Sequence, residues 1–240
     1  LLLSFVCCVT FVAIQNLQDL IYTHHPQYSF LEVIVKMNDT ITILQKKYNV
    51  SHETLSQLSA YHDLLLKWQT KLNLISANTI DDIWHRHILD SAQLCNYLPE
   101  QPSRILDVGS GAGFPAIILS ILTKHEIHMV ESDIRKCAFL RTVLSRVKVK
   151  AIIHECRLEE MPSIDPDIIT ARAFAPIPRL LHLTEQQHHK NLRFLLLKGR
   201  EINSELINID SWQKLQIINK HASITSEDGC ILELEFTKSV

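Results

Sequence analysis

From Ser51 onward apolar residues recur at steps of three and four: Leu55, Leu58, Tyr61, Leu65 and Trp68. That period predicts an amphipathic helix with Ser51 as N-cap and Glu53 in its first turn. A second helical pattern runs from Ile80 to Tyr97, and Pro99 and Pro102 end it. Beyond Arg104 the rhythm changes. Short apolar runs fall near 104–108, 126–131, 150–154, 167–171, 193–198, 214–219 and 230–237, with helical stretches near 114–123, 133–147 and 176–188. Strands alternating with helices predict right-handed crossovers and a mainly parallel α/β sheet of seven strands. The last two runs lack a helix between them, which predicts a terminal antiparallel hairpin.

This divides the chain into a helical region, 37–102, and an α/β domain, 103–240. Residues 1–36 match neither. Leu1 to Ile14 is almost wholly apolar, yet too short to span a bilayer and without a basic leader. The first methionine is Met37, so 1–36 are read as upstream sequence translated from a misassigned start; a membrane anchor and an extra helix are the alternatives.

At 46% hydrophobic and 21% charged, the 240 residues have the makeup of an ordinary globular protein. Cys7, Cys8, Cys95, Cys137, Cys156 and Cys230 show no Cys-x-x-Cys spacing, which argues against a zinc ribbon or disulfide framework and for reduced thiols in the cytoplasm. A net charge of −2 gives no global attraction to nucleic acid, so RNA binding would need a local patch. Arg135, Lys136, Arg141, Arg146, Lys148 and Lys150 crowd one helix and its exit, and Lys198 and Arg200 follow the fifth strand. These could contact phosphates or be a solvated helix face; Lys198, at a strand's carboxyl end, is the strongest candidate for a phosphate contact.

Candidate chemistry centres on Gly109, Gly111 and Gly113, three of five glycines, between the first strand and a helix. A Gly-Lys pair is absent, which excludes a P-loop, and Phe114 stands where a dinucleotide fingerprint needs its third glycine. The spacing resembles motif I of class I S-adenosylmethionine-dependent methyltransferases, a Rossmann-like fold. The plain alternative is a tight turn. Asp107 precedes the loop, and Glu131 ends the second strand, where an acid can take the two ribose hydroxyls of an adenosine. His85 and His87 are two residues apart on a helix and face different ways, so no metal is expected; Arg86 and Asp90 form an i,i+4 pair.

Six runs occur in register: Trp68-Gln-Thr-Lys-Leu-Asn-Leu74, Arg86-His-Ile-Leu-Asp-Ser91, Asp107-Val-Gly-Ser-Gly-Ala-Gly-Phe-Pro115, Arg157-Leu-Glu-Glu-Met-Pro162, Ala171-Arg-Ala-Phe-Ala175 and Leu197-Lys-Gly199. Together they closely resemble the bacterial 16S ribosomal RNA guanine-N7 methyltransferase family, also called the glucose-inhibited division protein B family. The likeness covers about residues 40–238 and leaves 1–36 without counterpart. Ala116 departs from it, standing where the family more often has a second glycine.

The resemblance implies S-adenosylmethionine as cofactor, held by the loop of Gly109, Gly111, Gly113 and Phe114, by Leu158 and Glu159 beside the adenine, and by Arg172. Its implied acceptor is a guanine in the 530 loop of 16S ribosomal RNA, naked or in the small subunit, methylated by direct displacement without a general base. A monomer with no membrane partner is expected. Arg172 and Lys198 are the candidate catalytic side chains. Arg172 lies in an apolar run and needs a buried partner, for which Asp107 and Asp167 are candidates. Phe174 could stack on an extruded base or serve as ordinary packing. The loop and ribose acid alone also suit a methyltransferase of another RNA or small molecule, a nicotinamide enzyme, or a non-catalytic binding module.

Overall fold

The computed structural model describes residues 30–207 and 215–237. Residues 1–29, and with them most of the proposed upstream segment, lie outside the described residues. Helix α1 spans Phe30–Tyr48 and passes through Met37; helix α2 spans His52–Gln69. Ser51 caps α2, its Oγ accepting from the Thr54 amide at 3.1 Å, and such a cap contributes about 1 kcal/mol.

The sheet contains β1 (Arg104–Val108), β2 (Glu126–Val130), β3 (Ile152–His154), β4 (Ile168–Arg172), β5 (Arg193–Lys198), β6 (Leu215–Ala222) and β7 (Cys230–Phe236). Its order is β3-β2-β1-β4-β5-β7-β6, with β1 to β5 parallel and β7 antiparallel between β5 and β6. The expected hairpin therefore folds back, and its second strand takes the inner place. Composition explains the choice: β7 reads Cys-Ile-Leu-Glu-Leu-Glu-Phe and is buried almost throughout, whereas β6 is largely exposed, as an edge strand can be.

Helices α3 (Ala116–Leu122), α4 (Ile134–Val147), α5 (Ile177–Leu183) and α6 (Ile202–Leu206) complete the α/β layers. One buried cluster joins α1, α2, α3 and α4 to the sheet through Leu58, Tyr61, Ile117 and Phe139. The other lies under α5, with Ile177, Leu180, Phe194 and Leu232. Each such large apolar side chain contributes roughly 1.5–3 kcal/mol when fully buried. Helix α5 is shorter than the 176–188 pattern, because the Thr184 hydroxyl donates back to the Leu180 carbonyl at 2.9 Å and a 3₁₀ turn, Glu185–Gln187, follows.

The 80–97 pattern is helical but irregular: a 3₁₀ turn at Ala77–Asp82, a π turn at Trp84–Leu89, one α turn at Asp90–Ala92, and a further 3₁₀ turn at Gln93–Tyr97. A π turn carries an extra residue and commonly marks a functional site. Here it takes Asp90 out of the four-residue register with Arg86, and the expected Arg86–Asp90 pair does not form.

Candidate active site

Sheet order reverses between β1 and β4, and ligands of open α/β sheets bind outside the strand ends at such a switch point. Two adjoining cavities open there. The smaller, about 310 Å³, is walled by Gly109, Gly111, Glu131, Leu158 and Glu159, together with Lys136, Arg157 and Arg179. The larger, about 540 Å³, is walled by Arg86, Asp90, Arg172, Lys198, Glu205 and the Ser223–Gly229 turn, among others. Ala173 and Phe174 belong to both walls.

The glycine loop is shaped for close approach. Gly109 has φ +67°, and a Cβ there would lie 2.1 Å from Cδ2 of Phe174, so no other residue fits beneath that ring. Glu131 fixes the loop from the side: one carboxylate oxygen accepts from the Gly111 amide at 2.9 Å and the other from the Asp133 amide at 2.8 Å. A carboxylate offers about four acceptor positions, so capacity remains for ribose hydroxyls.

Asp107 is fully buried behind the loop. Its Oδ1 accepts from Thr170 Oγ1 at 3.0 Å, and its Oδ2 is a buried oxygen with no partner among the described residues. Burial pushes its carboxyl up to about 7. The bare loop, where a Cβ would clash, and the ribose acid suit an adenosine; the donor set therefore fits S-adenosylmethionine.

Gly113 and Phe114 are placed differently. Gly113 packs toward Ile117 and Leu140. Phe114 is 5% exposed, absent from both cavity walls, with its ring 5.2 Å from that of Tyr61 and stacked 5.1 Å from His87. Tyr61 also donates to the Ala112 carbonyl at 2.7 Å, so helix α2 braces the loop from behind.

Arg172 faces the larger cavity, and its partner is Asp90 rather than Asp107 or Asp167, with Nε 3.1 Å from Oδ2. Nη2 donates to the Arg86 carbonyl at 2.8 Å, and Nη1 lies 2.5 Å from His87 Nδ1. Arginine only donates, so His87 Nδ1 must accept. Burial, then the Arg172 charge, holds His87 down to about 2, which keeps it neutral. Its proton is therefore on Nε2, 2.8 Å from Thr79 Oγ1, whose hydroxyl donates to the Ser76 carbonyl at 2.8 Å. Three of the five Arg172 N–H bonds are committed; two remain for a ligand. Asp90 also accepts from Thr225 Oγ1 at 2.6 Å and Gln93 Nε2 at 2.8 Å, which ties the π segment to the β6–β7 turn.

Lys198 is an internal clamp, its side chain only 10% exposed. Its Nζ donates to Glu205 at 2.7 Å and to the Ala175 carbonyl at 2.8 Å, while the same Glu205 oxygen accepts from the Ile177 amide at 2.8 Å. It thereby fixes the turn carrying Phe174, next to Ala173 at φ +50°.

Thr79, Thr225 and Glu205 escape the sequence reading, which weighs His87 only as a metal ligand. A detectable signal was the His87/Asp90 pair, one helical turn apart, opposite an arginine in need of a partner. Among the described residues no group of three or more His, Cys, Asp or Glu could hold a metal ion, and no helix is long and apolar enough to cross a membrane.

Comparison with known proteins decides the family. The model of the family described as rRNA small subunit methyltransferase G matches residues 54–229. The chain belongs to that family. A relative from Rhodospirillum rubrum, named ribosomal RNA small subunit methyltransferase G, is 41% identical over 185 residues, covering 77% of this chain and 92% of its own. A relative of the same name from Rhodospirillum centenum is 41% identical over 194 residues, covering 80% and 89%. Among solved structures, a single-residue mutant of MtNAS in complex with S-adenosylmethionine superposes with TM-score 0.54 at 11% identity over 95% of this chain and 99% of that one. The glycopeptide N-methyltransferase MtfA, also with S-adenosylmethionine, gives 0.51 at 9% identity over 65% and 96%. At those identities the structural likeness speaks for the class I methyltransferase fold alone, and this family member has that fold.

Proposed function

We propose that this member of the rRNA small subunit methyltransferase G family methylates nitrogen 7 of a guanine in the 530 loop of 16S ribosomal RNA. The smaller cavity is assigned to S-adenosylmethionine and the larger to the base. One observation carries the assignment: the cavities meet at Ala173 and Phe174, on the turn that Lys198 clamps.

When bound, S-adenosylmethionine supplies a methyl group activated by its sulfonium. Gly109 and Gly111 offer bare backbone, Glu131 takes the ribose hydroxyls, Leu158 covers an adenine face and Glu159 reads its amino edge. Arg172 holds two N–H bonds at the junction, oriented by Asp90 and His87. Guanine nitrogen 7 already carries a free lone pair, so no side chain must remove a proton before attack. The protein's task is to align the reactants and exclude water. In this reading 103–240 is the catalytic domain and 37–102 its helical brace, the protein acts as a monomer in the cytoplasm, and its substrate is 16S RNA or the small subunit.

Incubation of the full chain with methyl-labelled S-adenosylmethionine and small-subunit RNA from a strain lacking the modification provides the test. Label recovered as 7-methylguanosine is expected. Absence of label, or label on another base atom, overturns the assignment.

A further inference from the structure

The polarity of α4 divides the basic residues that looked like one patch in the sequence. The helix starts beside Glu131 at the carboxyl ends of the strands and runs 14 residues, about 20 Å, back to the opposite edge of the sheet. Arg146, Lys148 and Lys150 are therefore remote from both cavities. Arg135 and Arg141 line neither cavity.

The cavity walls have the opposite balance from the chain as a whole. They carry seven Arg and Lys side chains against five Asp and Glu, in a protein with 24 against 26. Three of those five acids are already satisfied, Glu131 by backbone amides, Asp90 by Arg172 and Glu205 by Lys198. At the mouths, Arg86, Arg157 and Arg179 are exposed and have no ion-pair partner among the described residues. Arg200 pairs with Asp228 at 3.0 Å, but the two side chains are 79% and 57% exposed. Such a pair contributes about 0–1 kcal/mol, so a phosphate can replace Asp228 at little cost.

We infer that these four arginines form the track for the RNA backbone: Arg157 and Arg179 outside the smaller cavity, Arg86 and Arg200 outside the larger one. The partner is an RNA loop whose phosphates cross the rim while one base enters the larger cavity; guanidinium groups suit phosphate oxygens through paired donors. The inference rests on the proposed RNA methyltransferase reading. It moves the contact surface from the exit of α4 to the rim of the site and leaves Lys198 inside the wall.

Salt dependence of binding tests it. The full chain, without cofactor, is titrated against a fluorescent hairpin carrying the 530 loop over a range of salt concentrations. Each lost single-strand phosphate contact lowers the slope of log affinity against log salt by about 0.7. R86Q/R157Q/R179Q/R200Q should lose a slope of roughly 3, the R157Q/R179Q pair about half of that, and R146Q/K148Q/K150Q almost none. Unchanged thermal unfolding confirms that the variants fold. A rim variant that keeps the wild-type slope, or a far-end variant that loses it, overturns the inference. If wild type methylates RNA while the rim variant keeps its slope, only the track is wrong; if wild type shows the rim-dependent slope but transfers no label, the enzyme reading fails instead.

Discussion

The two cavities are built in different ways. The smaller is made by loops that leave successive strands, so its parts are short runs of neighbouring residues: Gly109 and Gly111 after β1, Glu131 after β2, Leu158 and Glu159 after β3. The larger is held mainly by pairs far apart in the chain, Arg172 with Asp90 and His87 and Asp90 with Thr225, and by Lys198 with Glu205 seven residues on. The first needs backbone conformation and one acid. The second needs a network in which every member orients another.

Substitutions should therefore damage the two cavities differently. Gly109→Leu is expected to have the largest effect, since it adds a clash with Phe174 and a strained positive φ to the donor side. Strain of about 3 kcal/mol corresponds to roughly 100-fold weaker binding of S-adenosylhomocysteine by calorimetry. Near-normal affinity would remove the loop from the donor site.

On the other side, His87→Leu should lower kcat by roughly tenfold, about 1.4 kcal/mol, by leaving an Arg172 N–H without its acceptor. His87→Asn keeps an acceptor where Nδ1 stands and should restore most of the rate. If both variants lose the same, His87 supports the fold rather than Arg172. Because His87 is held down to about 2, neither variant should change the pH profile between pH 6 and 8.

Lys198→Met is expected to lower kcat about tenfold while changing S-adenosylhomocysteine affinity by less than about threefold, since it frees Glu205 and the Phe174 turn but leaves the glycine loop intact. A larger loss of cofactor affinity than of kcat would show that the turn belongs to the donor side.

The last effect is on stability: at Asp107 a carboxyl raised above its unfolded value is bound to its proton more tightly in the folded state, so the ligand-free protein loses stability as pH rises from about 4 to about 7. Ionising this carboxyl inside the folded protein costs roughly 4 kcal/mol more than ionising it in the unfolded chain. Thermal unfolding of wild type and Asp107→Asn at pH 5 and pH 8 checks this; a stabilising effect of Asn that is no greater at pH 8 would contradict it.

The same contrast explains what the sequence disclosed. The parallel sheet followed from apolar runs alternating with helical periods, and the donor loop from glycines at a strand end. The hairpin's inner placement of β7 depended on burial summed over a whole strand. Asp90 and Thr225 meet across 135 positions, and nothing local to either records the other. The π turn that frees Asp90 from Arg86 is also invisible to a helical period, because it shifts the register without interrupting the apolar face.

A crystal structure of the full chain with S-adenosylhomocysteine tests the assignment of the cavities most directly. The adenine is expected against Leu158 and Glu159 with the ribose at Glu131, leaving the cavity of Lys198 and Glu205 free for a base. An adenosine found instead between Arg86, Lys198 and Glu205 would contradict the division into donor and acceptor sides.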